Sequence, residues 1–143
     1  MKRLIIAATL ALSVGTAHAD GMVTYETQDS FEDVVFGLEN AILDLGLVVD
    51  HVSHTGEMLE RTKADVGGTV TLFTQADVYS FCSAALSRKV MEADPMNIAH
   101  CPYGIFITEA EGEVMVGYRN MPEGPMQEVQ ALLEEIAQEA IGN

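Results

Sequence analysis

The residues of this 143-residue chain best equipped for chemistry are its two cysteines, four histidines and eight methionines. Cys82 and Cys101 are the first pair to weigh. In an oxidising compartment an even pair of cysteines is usually a disulfide. Such a bridge closes a loop of about 20 residues and contributes roughly 3 kcal/mol in the chain-entropy description. It ties the excursion containing Pro95 to the elements on either side, because each cysteine falls where the chain changes element. A working redox pair is the alternative. It lacks a Cys-x-x-Cys motif, and His100 is the one neighbour able to lower a thiol pKa.

A metal site is a sharper idea. Met91, Met96, His100 and Cys101 fall within eleven positions, and His51, His54 and Met58 form a second group. Thioether, thiolate and imidazole together suit copper, particularly the reduced ion. On a strand His51 and His54 face opposite ways, whereas His54 and Met58 share a face if the helix begins early. Against this, methionines commonly fill gaps in cores. Haem has no Cys-x-x-Cys-His attachment motif here and would have to be held through axial His or Met. Ser83, Asp94 and His100 are not framed by a nucleophile elbow or a triad-like motif. Glu92 and Asp94 lack the ligand-rich loop that calcium needs and read as solvated helix-end charges. Gly67-Gly68 is a turn, not a phosphate cradle. The sequence therefore favours a binding or accessory module over an enzyme.

Where these residues work follows from the N-terminus. Lys2 and Arg3 precede an apolar stretch from Leu4 to Val14, and Ala17-His18-Ala19 supplies the small-x-small pattern that signal peptidase cuts. Residues 1–19 thus read as a signal peptide and residues 20–143 as one domain, exported to the periplasm. The apolar run is too short to cross a hydrocarbon core, which takes about 20 residues, so no membrane span is expected after cleavage. Seven basic residues against 22 acidic ones give a net charge of −15. Loss of Lys2 and Arg3 takes it to −17. That balance excludes nucleic acid, whose phosphates demand clustered Lys and Arg. The partner is left as an unknown ligand or another periplasmic protein, and a homodimer is compatible with the sequence.

The elements that must position the chemistry are legible to different degrees. Met22 to Thr27 alternates as a strand does. Asp29-Ser30 opens a helix whose stripe is Phe31, Val34, Val35, Leu38, Ala41, Ile42 and Leu45. Ser30 with Asp33 resembles a capping box, and Gly46 is placed to end the helix. Leu47 to Val52 reads as a strand and Glu57 to Lys63 as a short helix begun by Thr55. Gly67-Gly68 turns the chain before Val70 to Phe73. Asp77 to Ser83 fits a helical stripe and a strand equally well. Ala84 to Ala93 is a short helix stopped by Pro95. Tyr103 to Thr108 and Val114 to Arg119 make a hairpin across Glu111-Gly112. Pro125 starts a closing helix with the stripe Met126, Val129, Leu132, Leu133, Ile136, Ala137, Ala140 and Ile141. The fold class is α+β, an antiparallel sheet with two long helices packed on one face.

The segments FCSAALSRKVMEADPMNIAHCPYGIFI (Phe81 to Ile107), HTGEML (His54 to Leu59) and VGYRNMP (Val116 to Pro122) resemble the domain of unknown function (DUF) 302 family. The resemblance covers essentially the whole mature domain and is nearest to an exported bacterial branch carrying the FCSA and CPY segments. It implies a β-α-β-rich sheet with a long C-terminal helix, which favours strand for Asp77 to Ser83. It implies no particular reaction. The concave side of the sheet near Cys82, His100 and Tyr103 is the expected site.

Overall fold

A computed structural model describes residues 17–19 and 21–142 of the chain; the signal-peptide reading otherwise falls on residues outside these. The elements in chain order are β1 (Ala17–Ala19), β2 (Met22–Thr27), α1 (Phe31–Asp44), β3 (Val49–Ser53), α2 (Thr55–Thr62), β4 (Gln75–Phe81), α3 (Ala84–Ala93), a 3₁₀ helix (Pro95–His100), β5 (Tyr103–Ala110), β6 (Glu113–Arg119) and α4 (Gln127–Ala140). The strands form one antiparallel sheet in the order β1-β2-β6-β5-β4-β3. Helices α1 and α4 pack on one face of it, the α+β arrangement that the apolar stripes demand.

The helix-covered face holds the core. Val23 and Tyr25 of β2, Tyr79 and Phe81 of β4, Tyr103, Ile105 and Ile107 of β5, and Val114, Val116 and Tyr118 of β6 are all buried. Side chains alternate along a strand, so these positions all project toward α1 and α4. Phe31, Val34, Leu38, Ala41 and Ile42 answer from α1, and Val129, Leu133, Ile136, Ala137 and Ala140 from α4. The two helices approach closely at Gly37, where a Cβ would stand 2.5 Å from the Ala140 carbonyl oxygen.

Local chemistry explains the boundaries. Ser30 Oγ accepts from the Asp33 N–H at 3.1 Å and donates to the Asp33 carboxylate at 2.7 Å. The capping pair is therefore formed, with the Asp33 side chain returning to the hydroxyl. Gly46, at φ +71°, lets the chain leave α1. The hairpin turn puts Glu111 at φ 53° and Gly112 at φ 82°, the left-handed pair that a two-residue loop requires.

The ambiguous 77–83 segment is resolved as strand: β4 pairs on both edges, with β3 and with β5. Two local expectations are corrected. Leu45 lies beyond the end of α1 and is exposed. The strand placed at Leu47 to Val52 runs from Val49 to Ser53. Val70 to Phe73 forms no regular element, and Val70 and Leu72 are exposed.

Candidate functional site

The opposite face of the sheet carries the positions out of phase with the core: Val78 and Ser80 on β4, Gly104 and Phe106 on β5, Gly117 and Arg119 on β6. Helix α2 covers one part of this face, where Gly56 lies against Ala76. The remainder is concave. A cavity of about 450 Å³ opens there, walled by Val78, Phe106, Pro102 and Met121 and carrying Ser80, His100, Arg119 and Asn120 as polar groups. That volume lies within the range of roughly 300–1,000 Å³ typical of small-molecule sites.

Two glycines shape it. Phe106 lies directly opposite Gly117 in the register, and a Cβ on Gly117 would stand 2.6 Å from the Phe106 ring and 2.6 Å from the Val23 carbonyl oxygen. The missing side chain lets the ring lie down over the sheet as one wall. Gly104 faces the cavity with its nearest neighbours 3.8 and 3.9 Å from an ideal Cβ, so the space above it belongs to the cavity.

The rim is held from several sides. Asn120 donates its N–H to the Gly21 carbonyl at 3.0 Å. The Met121 N–H donates to Gln130 Oε1 at 2.8 Å, and Gln127 Nε2 donates to the Met121 carbonyl at 2.9 Å. Helix α4 thereby fixes the strand end that presents Arg119 and Asn120. Across the mouth, the 3₁₀ helix begins with Asp94 accepting from the Met96 N–H at 2.9 Å and is tied to α3 by Asn97 donating to the Val90 carbonyl at 2.8 Å. It delivers His100 to the cavity, followed by Cys101 and the cis-bonded Pro102.

The cysteines meet immediately beside the cavity, for His100 and Pro102 flank Cys101. Their sulfurs are 2.9 Å apart and both are free thiols. The expected disulfide is therefore not formed in this structure: the separation exceeds the 2.03–2.05 Å of an S–S bond. Burial, and then the hydrogen bond to Cys101, push the Cys82 thiol up to about 11. Such a thiol carries little of the thiolate that attacks disulfides or binds metals at neutral pH.

The remaining expected site residues disperse. Met91 packs partly against the core, while Met96 is 70% exposed. His54 precedes α2, and its Nδ1 is 2.9 Å from Asp77 Oδ1. A carboxylate only accepts, so that nitrogen carries the proton. Met58 lies one turn into α2, exposed, its sulfur 3.9 Å from the Thr62 hydroxyl. Among the described residues, no group of three or more His, Cys, Asp or Glu converges as a metal site. Tyr103, expected on the concave side, is a correction. It faces the core, where burial raises its pKa and its hydroxyl meets Ser87 Oγ at 2.8 Å. The phase of β5 puts Gly104 on the open side in its place.

Sequence reading passed over Ser80, Phe106, Arg119 and Asn120. The signal that would have found Arg119 was strand alternation: it follows Tyr118, a core residue, and so had to face the other way.

Comparison with known proteins assigns the fold. A family model described as "Domain of unknown function DUF302" matches residues 23–143. A crystal structure of an uncharacterized conserved DUF302 protein from Bacillus stearothermophilus superposes with a TM-score of 0.61 at 16% identity, covering 84% of this chain and 90% of that one. At that identity the likeness is one of fold. No curated protein matches the chain.

Proposed function

The chain belongs to the DUF302 family, and from that premise we propose that it is an exported binding module, periplasmic after cleavage at Ala19, whose ligand occupies the open-face cavity. The observation that carries this reading is the cavity itself. It has a ligand-sized volume, a wall of apolar side chains and a few convergent polar groups, carried by strands, a pinned strand end and the end of the 3₁₀ helix. Export, and membership of an exported bacterial branch of the family, are supported by the three-part N-terminal pattern. The family match begins at Val23, beyond the cleavage point.

In the oxidising periplasm the thiol pair closes to a structural disulfide. The sulfurs already touch, so closure needs only a small movement, and the bridge then anchors His100 and Pro102 at the cavity wall. Thiol exchange is the second reading, favoured by the same contact but opposed by the raised pKa of Cys82.

The test is a small-molecule screen read by amide chemical shifts on the exported protein. Perturbations are expected to cluster at Val78, Ser80, Gly104, Phe106 and Asn120, and to vanish when Gly104→Val fills the cavity. Hits confined to other surfaces, or hits at these residues that survive Gly104→Val, overturn the assignment.

A further inference from the structure

We infer that the ligand of the open-face cavity is a small organic anion, a monocarboxylate with an apolar body, received by Arg119. This deepens the cavity reading above and rests on it. Three independent observations lead there.

The first is the charge of the lining. The chain carries 22 acidic residues, and four other cavities each present at least one carboxylate, among them Asp44, Glu60, Asp29 and Glu113. Among the described residues, the open-face cavity presents none. Its charged or chargeable groups are Arg119 and His100.

The second is the state of Arg119. Of the five basic residues among those described, Lys63, Arg88 and Lys89 are each paired with a glutamate, at 2.5, 2.6 and 2.7 Å. Among the described residues Arg61 and Arg119 make no ion pair although acidic side chains are abundant, and of these two guanidinium groups Arg119 is the one that borders the open-face cavity. A guanidinium presents a planar fork matched to a carboxylate, and a protein this acidic that keeps one such fork unpaired at a cavity rim reserves it for an anion from outside.

The third is the division of the walls. Val78, Phe106 and Met121 provide an apolar surface for the body of the ligand, while Asn120 and Ser80 supply neutral hydrogen-bonding groups elsewhere in the lining. A free inorganic anion would leave the apolar wall unused, so a carboxylate joined to a hydrocarbon or aromatic body fits better than phosphate.

The experiment titrates phenylacetate, the uncharged phenylacetamide and inorganic phosphate into the exported full domain, following the amides of the cavity residues. Phenylacetate is expected to bind at least about tenfold more tightly than the amide, the weight of one charge-assisted hydrogen bond, and phosphate more weakly than phenylacetate. Arg119→Met is expected to remove that preference. Arg119→Lys is expected to retain part of it, because charge survives and the fork does not. Arg119 is exposed at the end of β6, so an unchanged circular dichroism spectrum will certify the variants as folded. Equal binding of phenylacetate and phenylacetamide at the cavity overturns the anion inference and leaves the cavity reading standing. So does a preference that survives Arg119→Met, or tighter binding of phosphate. No shift from any probe overturns the inference, and a screen that also finds no cavity ligand removes the reading beneath it.

Discussion

The chemistry at residue scale is dominated by the thiol pair. In the reduced protein Cys82 ionises near 11 when folded and near its ordinary 9.0 when unfolded. The unfolded chain therefore gives up its proton first. Between those values it binds fewer protons than the native state, so stability falls as pH rises. The stabilising contribution is complete below about pH 9 and is lost on passing the folded value. Tyr79, pushed by burial to about 12, acts in the same direction at higher pH. The expected outcome is a thiolate absorbance at 240 nm that appears for Cys82 near pH 11. The melting temperature of the reduced protein should fall over the same range. A Cys82→Ser chain should lose the cysteine part of that fall and keep the tyrosine part. A thiolate titrating near neutral pH would instead favour the thiol-exchange reading.

Among the elements, the contact between α1 and α4 is the most constrained. Gly37 has no room for a side chain because backbone, not a yielding side chain, stands opposite. Gly37→Val is expected to push the helices apart and destabilise the domain by about 1–3 kcal/mol, the usual cost of overpacking. A urea titration checks it: the midpoint should drop while the slope is kept. An unchanged midpoint would mean the helices are not in contact there. The elements also show where sequence patterns suffice. The α1 and α4 stripes were readable because 3.6-residue periodicity persisted over fourteen residues in each. The seven residues of β4 were not, since a run that short satisfies both periods and only its pairing with β3 and β5 decides.

For the molecule as a whole, export and oxidation are the open quantities. Intact mass of the protein recovered from the periplasm is expected to begin at Asp20 and to be two hydrogens lighter than the reduced chain, with no metal or haem retained under native conditions. Retained copper or haem, or two free thiols, would make the cysteine–histidine–methionine region the functional centre. Under the proposed cleavage at Ala19, β1, which pairs with β2 through Ala17, His18 and Ala19, is removed. The mature sheet then ends at β2, and its five remaining strands still enclose the core, since the buried set begins at Val23.

The chain by itself determined its class, its long helices and its hairpin, because each is written locally, in periodicity, capping residues and turn chemistry. It also placed Cys82 and Cys101 at element ends, from which their meeting followed as an expectation. Only the tertiary structure decided which chemistry-bearing residues converge. Arg119 and His100 are nineteen positions apart in sequence yet border one cavity, whereas Met91 and Met96, five apart, occupy a packed and an exposed environment. Proximity along the chain is a poor guide to proximity in space once a sheet intervenes. Strand order and register bring distant residues together, and the pleat sends adjacent ones, such as Tyr103 and Gly104, to opposite faces.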